Sequence, residues 1–308
     1  MRPARARGMR ASVASVACAK DRLLEFACTA LDRLLPALED AQRTARYVKG
    51  RRAYRARPSD IFVASYPRSG NTVAQWMIYL MTHGRGSAAA AHVSELAPWF
   101  ERQLATGELA AEDFERFDDP RVIKTHLPRA WLPDGARYVY VQRDGRDVAA
   151  SYYHLYQAYL GFRGSFEEFF DRFLCGELQY GSWFDHVAEW RAHGDDPDVL
   201  IVSYEQLVKS RQACVERFET FLDCHPGEER RRSVLEQSDI TAMKNRESFF
   251  DHATALLLER GVKPGSFIRN GKIGDGVLAL SPRQRAAFEL RQSSAQQPRT
   301  PRLALFLH

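Results

Sequence analysis

The chain has 308 residues, with 44 Lys and Arg against 39 Asp and Glu, a formal charge of +5, and 45% hydrophobic and 27% charged residues. This is the make-up of an ordinary globular chain, long enough for one large domain or two small ones. No run approaches the roughly 18 consecutive apolar residues of a membrane-spanning helix, so a helical membrane protein is excluded, along with collagen-like and wholly disordered chains. The charge is unevenly spread. Residues 1–58 hold 14 Lys/Arg and 5 Asp/Glu, a net of +9, whereas the other 250 hold 30 and 34, a net of −4, so no nucleic-acid-binding domain is indicated. The five cysteines, Cys18, Cys28, Cys175, Cys214 and Cys224, are odd in number and never form Cys-x-x-Cys. They suggest neither a disulfide framework nor a zinc site, and a reducing compartment is the expectation.

From Met1 to Lys20 there is no acidic residue, and Arg2, Arg5, Arg7, Arg10, Ser12 and Ser15 sit among alanines. Two readings stand side by side: an organelle-targeting presequence, or a plain N-terminal extension of a cytoplasmic protein. From Asp21 to Lys49, Leu23, Leu24, Leu31, Leu34, Leu35 and Leu38 recur at helical spacing, predicting a helix packed on the body and kinked at Pro36. A basic connector, Lys49 to Arg57, follows, and residues 1–58 are read as one N-terminal region. Beyond Pro58, β-branched and aromatic runs at Ile61–Ser65, Arg121–Thr125, Tyr138–Gln142 and Val199–Ser203 predict strands. Between and after them, helices are expected at Thr72–Met81, Gly145–Tyr159, Phe166–Phe173, Trp183–Arg191, Gln212–Leu222, Gly227–Leu235 and Pro282–Arg291. Alternating strands and helices imply an α/β fold of three layers over residues 59–292, a central parallel sheet flanked by helices, with ligands at the carboxyl ends of the strands. Residues 293–308, rich in Gln, Pro and Ser, form a tail.

Three motifs carry chemistry. In Ile61-Phe62-Val63-Ala64-Ser65-Tyr66-Pro67-Arg68-Ser69-Gly70-Asn71-Thr72 a buried strand turns directly into a helix. Such a junction aims free backbone N–H groups at one point, as phosphate binding requires, and Arg68 adds a cation. The spacing is not Gly-x-x-x-x-Gly-Lys-Ser/Thr, so the usual nucleoside-triphosphate loop is not present. In Val122-Ile123-Lys124-Thr125-His126-Leu127-Pro128, strand alternation places Lys124 and His126 on one side, a cation and a titratable base in one cleft. In Tyr138 to His154, Arg143 at a strand end and Ser151 two turns into the next helix can reach one anion. The neighbouring Arg146 and Asp147, taken alone, read as a solvated surface pair. The remaining histidines form no His-x-x-x-His pair, so no metal is expected.

With these residues the sequence resembles the cytosolic sulfotransferase family, which uses 3′-phosphoadenosine-5′-phosphosulfate (PAPS) as sulfuryl donor. Tyr66 to Thr72 resembles the family's Tyr-Pro-Lys-Ser-Gly-Thr-Thr loop, and Lys124-Thr125-His126-Leu127-Pro128 is identical to its Lys-Thr-His-Leu-Pro strand. Arg143 to His154 is similar to the 3′-phosphate motif, and Tyr204-Glu205 to a Tyr-Glu element near the nucleotide. Ser238 to Asn245 resembles the segment flanking adenine, and Arg269 to Asp275 the late Arg-Lys-Gly-x-x-Gly-Asp-Trp motif. The resemblance covers Ser59 to Leu290 and implies a P-loop-like fold. It implies His126 as general base, Lys124 and Arg68 as charge stabilisers, and Ser69, Gly70, Asn71 and Thr72 around the 5′-phosphate. Arg143, Ser151, Arg269 and Gly271 would hold the 3′-phosphate, with Tyr204, Ser238 and Asn270 also at the nucleotide and 3′,5′-ADP as product. Departures are Arg68 for Lys, Val73 for the adenine-stacking Trp, Ile240 for Phe, Asn270 for Lys and Gly276 for Trp. Trp76 or Tyr204 is then the candidate stacking partner, and the family's dimer motif is absent.

A P-loop nucleotide kinase, or a nucleotide-binding domain without catalysis, is the alternative to a sulfotransferase. A kinase would require a Lys-Ser/Thr pair for nucleotide and magnesium and an acidic residue at a later strand end, and neither is evident. The acceptor is expected to be a small-molecule, lipid or glycan hydroxyl. Thr82 to Pro120 and Phe249 to Lys263 are expected to wall its pocket, with Phe100, Phe114, Phe249, Phe250 and Leu256 to Leu258 as candidate apolar lining or ordinary core.

Overall fold

In the computed structural model, residues 31, 34–84, 90–251, 267–268 and 271–295 are described. Four parallel strands, β1 (Ile61–Ala64), β2 (Val122–Thr125), β3 (Arg137–Gln142) and β4 (Val199–Ser203), form a sheet of order β2-β1-β3-β4. Ile61 is paired with Val122 on one side and Arg137 on the other, and Tyr138 with Val199. The strands are nearly continuous apolar runs because both faces are covered. Their alternation splits the core: Phe62, Ala64, Ile123, Tyr138 and Tyr140 enter one cluster, while Ile61, Val63, Val122, Val139 and Val141 enter a second on the opposite face. The chain runs from β1 to β2 on one side and then crosses to β3 on the other. The crevice at the carboxyl ends beside β1 is therefore a topological switch point.

Helix α1 covers residues 34–53, so the connector expected from Lys49 is helical as far as residue 53. The described leucines do not pack on the body as expected: Leu31, Leu34, Leu35 and Leu38 are 52%, 57%, 52% and 64% exposed, while Leu23 and Leu24 lie outside the described residues. Docking falls to the next turns. Tyr47 is buried against Phe100, Tyr54 lies between Phe62, Phe100 and Phe114, and Arg51 donates to the Leu132 carbonyl. Amphipathic spacing marks an apolar stripe without specifying its cover.

The main helices agree with the periodic patterns: α2 (Asn71–His83), α4 (Gly145–Tyr159), α5 (Phe166–Cys175), α6 (Trp183–Ala192), α8 (Arg211–Leu222) and α9 (Glu228–Gln237). Five short helices had no periodic signal: α3 (Phe100–Thr106), α7 (Tyr204–Lys209), α10 (Ile240–Asn245), α11 (Glu247–Phe250) and Asp275–Ala279. At 4 to 7 residues they are too short for an apolar stripe to repeat. Pro282–Ser294 begins at a Ser281–Gln284 capping box with Pro at its start. Beneath the sheet, Arg121 and Asp60 are both fully buried and joined by a two-bond fork at 2.6 and 2.7 Å, with Tyr54 donating to the same carboxylate at 2.8 Å. This pair ties the entry to β1 to the entry to β2. Among the described residues no helix is long and apolar enough to cross a membrane, and no His, Cys, Asp or Glu cluster could hold a metal.

Candidate active site

The loop after β1 is held by Tyr66, buried and donating to the Gly181 carbonyl. Arg68 adopts φ 67°, a left-handed conformation that costs free energy for a side-chain-bearing residue and recurs at binding sites. Gly70 follows at φ 99°, and a Cβ there would sit 2.6 Å from the Tyr204 ring, so glycine is required for both backbone and packing. Gly70 offers no side chain to cap α2, and the first turn has no acidic residue. The leading N–H groups and the positive helix end are therefore open to an anion. The Asn71 side chain does not join them: its amide donates to the Val63 and Thr125 carbonyls at 2.8 and 2.9 Å, clamping β1 to β2. Of the residue expected at the 5′-phosphate, only the backbone remains available.

After β2, Lys124 and His126 face one cavity of about 580 Å³. Burial lowers the Lys124 pKa to about 8, with the cations Arg102 and Arg68 acting in the same direction and Glu101 against it. Its ammonium lies 4.0 Å above the Trp99 ring. His126 Nδ1 lies 2.8 Å from the Ser65 carbonyl oxygen, which can only accept, so Nδ1 carries the hydrogen and Nε2 the lone pair. Burial, followed by the nearby Lys124 charge, holds the imidazole well below its usual pKa and hence neutral. Two groups unsuspected from sequence support it. The carboxylate of buried Glu101 accepts from the His126 backbone N–H at 2.8 Å and from Trp99 Nε1 at 2.7 Å. His186 donates Nε2–H to the His126 carbonyl and accepts from the Tyr140 hydroxyl at 3.0 Å, its pKa lowered by burial to about 3.

After β3, the Arg143 guanidinium donates to the Arg68 and Lys272 carbonyls, each at 3.0 Å, and stacks 4.2 Å from the Tyr204 ring. Arg68 donates to Ser151 Oγ at 3.1 Å and to the Phe267 carbonyl at 2.9 Å. The loops after β1, β3 and β4 and the late segment thus meet. Unlike α2, helix α4 is capped by its own Asp144, which also pairs with Arg146. Asp147 is not the solvated partner of Arg146: it is 2% exposed and accepts from the Gly274 and Gly276 N–H groups at 2.8 and 2.7 Å. At Gly276 a Cβ would meet the Arg146 carbonyl oxygen at 2.1 Å, so the backbone path here leaves no room for a side chain.

Of the expected site residues, Arg68, Gly70, Asn71, Thr72, Lys124, His126, Arg143, Ser151, Tyr204 and Gly271 line the one cavity. Ser69 and Ser238 are buried behind its wall, and their Oγ atoms have no partner among the described residues. Arg269 and Asn270 lie outside the described residues, as do Leu256 to Leu258. Trp76 is excluded from adenine stacking, being fully buried among Tyr79, Phe249 and Phe250, whereas Tyr204 lines the cavity with Val73 and Ile240. The candidate lining residues Phe100, Phe114, Phe249 and Phe250 are core. From the two segments expected to wall the pocket, Trp99, Arg102, Thr106 and Asp251 do line the cavity, joined by Tyr152, Leu155, Tyr159 and Tyr180 from outside them.

The residues fit a multiply phosphorylated nucleotide. An uncapped helix end and the cations Arg68, Lys124, Arg143 and Lys272 converge there, the Arg143 Nε having no partner among the described residues. The carbonyls now held by Arg68 and Arg143 take donor positions to which an anion binds more strongly.

Comparison with known proteins agrees. A sulfotransferase-domain model matches residues 58–292. Sulfotransferase 1E1 of Homo sapiens is 30% identical over 236 residues, 72% of this chain and 79% of that protein. Sulfotransferase 2B1 of Homo sapiens is 34% identical over 247 residues, 76% and 65% of the two chains. A crystal structure of retinol dehydratase in complex with androsterone and inactive cofactor PAP shares the fold, with TM-score 0.70, 24% identity and coverage of 84% and 87%. So does mouse sulfotransferase SULT7A1 complexed with PAP, with TM-score 0.65, 22% identity and coverage of 83% and 90%. Because the match runs through the sequence and not the fold alone, the kinase alternative falls away, and this chain belongs to the cytosolic sulfotransferase family of enzymes, with PAPS as sulfuryl donor.

Proposed function

We propose that this sulfotransferase acts on a hydroxyl of a small-molecule, lipid or glycan acceptor, in the cytoplasm, with His126 as general base. The observation that carries this reading is the His126 tautomer: Nδ1–H is engaged by the Ser65 carbonyl, and Nε2 has no partner among the described residues in a cavity shared with Lys124. Bound PAPS supplies a sulfuryl group with a phosphate as leaving group. The remaining work is positioning and charge stabilisation along an in-line path. Nε2 takes the acceptor's O–H proton as the new O–S bond forms, and the old S–O bond breaks to release 3′,5′-ADP. The Lys124 ammonium and the Arg68 guanidinium balance charge on the bridging oxygen and the sulfuryl group. The N-terminus of α2, with Ser69, Gly70, Asn71 and Thr72, cradles the 5′-phosphate. Arg143, Ser151, Gly271 and Arg269 hold the 3′-phosphate. An anionic donor also offsets the cationic field of Lys124 and Arg68 that depresses His126, so the base gains proton affinity once the donor is seated.

The test is His126→Ala. Turnover should fall about 10²- to 10⁴-fold while 3′,5′-ADP affinity is nearly retained, since a general base acts on the acceptor. Turnover at the wild-type level would remove His126 from this role.

A further inference from the structure

We propose that Arg102 makes this enzyme selective for acceptors bearing an anionic group, such as a carboxylate, on an apolar body that also carries the hydroxyl. The inference rests on the hydroxyl-transfer reading above. Cations along the cavity are Arg43, Arg68, Arg102, Lys124, Arg143 and Lys272, and the carboxylate among the described lining residues is Asp251. Arg68, Arg143 and Lys272 belong to the loops after β1 and β3 and the late segment, where the donor's phosphates are placed. Arg102 comes from α3 and Arg43 from α1, elements with no part in that cradle. They face the cavity beside Trp99, Leu155, Tyr159 and Tyr180, the aromatic and aliphatic wall of the acceptor side.

Arg102 is close to the chemistry. Its guanidinium lies 5.5 Å from the centre of the Trp99 ring, the same ring that meets Lys124 at 4.0 Å and the His126 imidazole at 5.2 Å. Of the neighbouring cations it also does most to lower the Lys124 pKa. Among the described residues no carboxylate pairs with its side chain. Asp251 is engaged by the Tyr159 hydroxyl at 2.5 Å. A half-buried guanidinium, laid on an aromatic face and left with its fork of donors, is a site for a carboxylate or similar oxyanion. An acceptor whose hydroxyl meets His126 and whose body lies along Trp99 and Tyr180 would bring such a group to it.

The experiment pairs each of a series of 4-hydroxyphenyl alkanoic acids, from the acetate to the pentanoate, with its methyl ester at saturating PAPS. For at least one chain length the acid should exceed its ester in kcat/KM by about tenfold or more, the scale of a charge-assisted hydrogen bond. In Arg102→Ala that acid-to-ester ratio should collapse by about the same factor, and Arg102→Lys should keep most of it. Esters that match or outrun the acids at every length would overturn the proposal and leave the transferase reading intact. So would an Arg102→Ala enzyme that loses acid and ester turnover in equal proportion, or whose KM for PAPS rises as much as that for the acid. Transfer to no member of the series, with 3′,5′-ADP still bound, would overturn both this proposal and the hydroxyl-transfer reading.

Discussion

Replacing Arg143 with Ala separates a reader of the 3′-phosphate from a structural clamp. In the structure its two terminal nitrogens hold the Arg68 and Lys272 carbonyls at 3.0 Å, and Nε is buried with no partner among the described residues. When the 3′-phosphate displaces one of these carbonyls, a charge-assisted hydrogen bond of about 1.5–3 kcal/mol forms. At about 1.4 kcal/mol per tenfold, its loss weakens 3′,5′-ADP binding roughly 10- to 150-fold. Adenosine 5′-monophosphate lacks that phosphate and should lose far less. Calorimetric titration of both nucleotides into both proteins reads the ratio without any chemistry. Arg143→Lys should recover only part of the loss, because an ammonium cannot bridge two carbonyls in the planar geometry of a guanidinium. The apo protein should also melt lower, since the late segment loses its hold through Lys272. Equal weakening of the two nucleotides would refute the assignment and leave Arg143 as a clamp alone.

Three further outcomes follow from the same structure. Burial places Lys124 near pH 8, so on the alkaline side it loses its proton and kcat/KM for PAPS should bend downward above about that pH; Lys124→Arg, which stays charged, should remove the bend, and an unchanged bend would clear Lys124 of it. Asp60→Asn leaves the fully buried Arg121 only the half-exposed Glu115 carboxylate as counter-charge and should lower unfolding free energy by about 3 kcal/mol in denaturant titration, whereas a loss under about 1 kcal/mol would contradict the clamp. Deleting residues 1–20 should leave a folded, active enzyme, while deleting 1–58 removes the buried rings of Tyr47 and Tyr54, at about 3 kcal/mol or more each by analogy with other large aromatics, and should lower the melting temperature sharply. Loss of folding or turnover on removing 1–20 alone would make that segment part of the domain and end the targeting reading.

What the sequence determined by itself was the chemistry written within a few consecutive residues. The strand-loop-helix from Ile61 to Thr72, the Lys124-Thr125-His126 strand end and the Arg143 turn each carry their geometry locally. A strand's alternation and a helix's first turn fix which groups point together, and parallel strands bring all their carboxyl ends to one edge of the sheet. The tertiary structure decided everything that depends on meeting across distance. Glu101 under the His126 backbone and His186 behind its carbonyl leave no local pattern, because a hydrogen bond across 25 or 60 residues has no spacing to recognise. The Asn71 side chain clamps two strands and leaves the residue's backbone to the phosphate loop, and Asp147 looked solvated and proved to pin Gly274 and Gly276. Residue type names the bonds a side chain can make, and only packing selects the partner. The Leu34, Leu35 and Leu38 stripe shows the same limit from the apolar side. Periodicity announces that a face is hydrophobic, but burial is a property of two surfaces, and here the covering contacts fall further along the helix, at Tyr47.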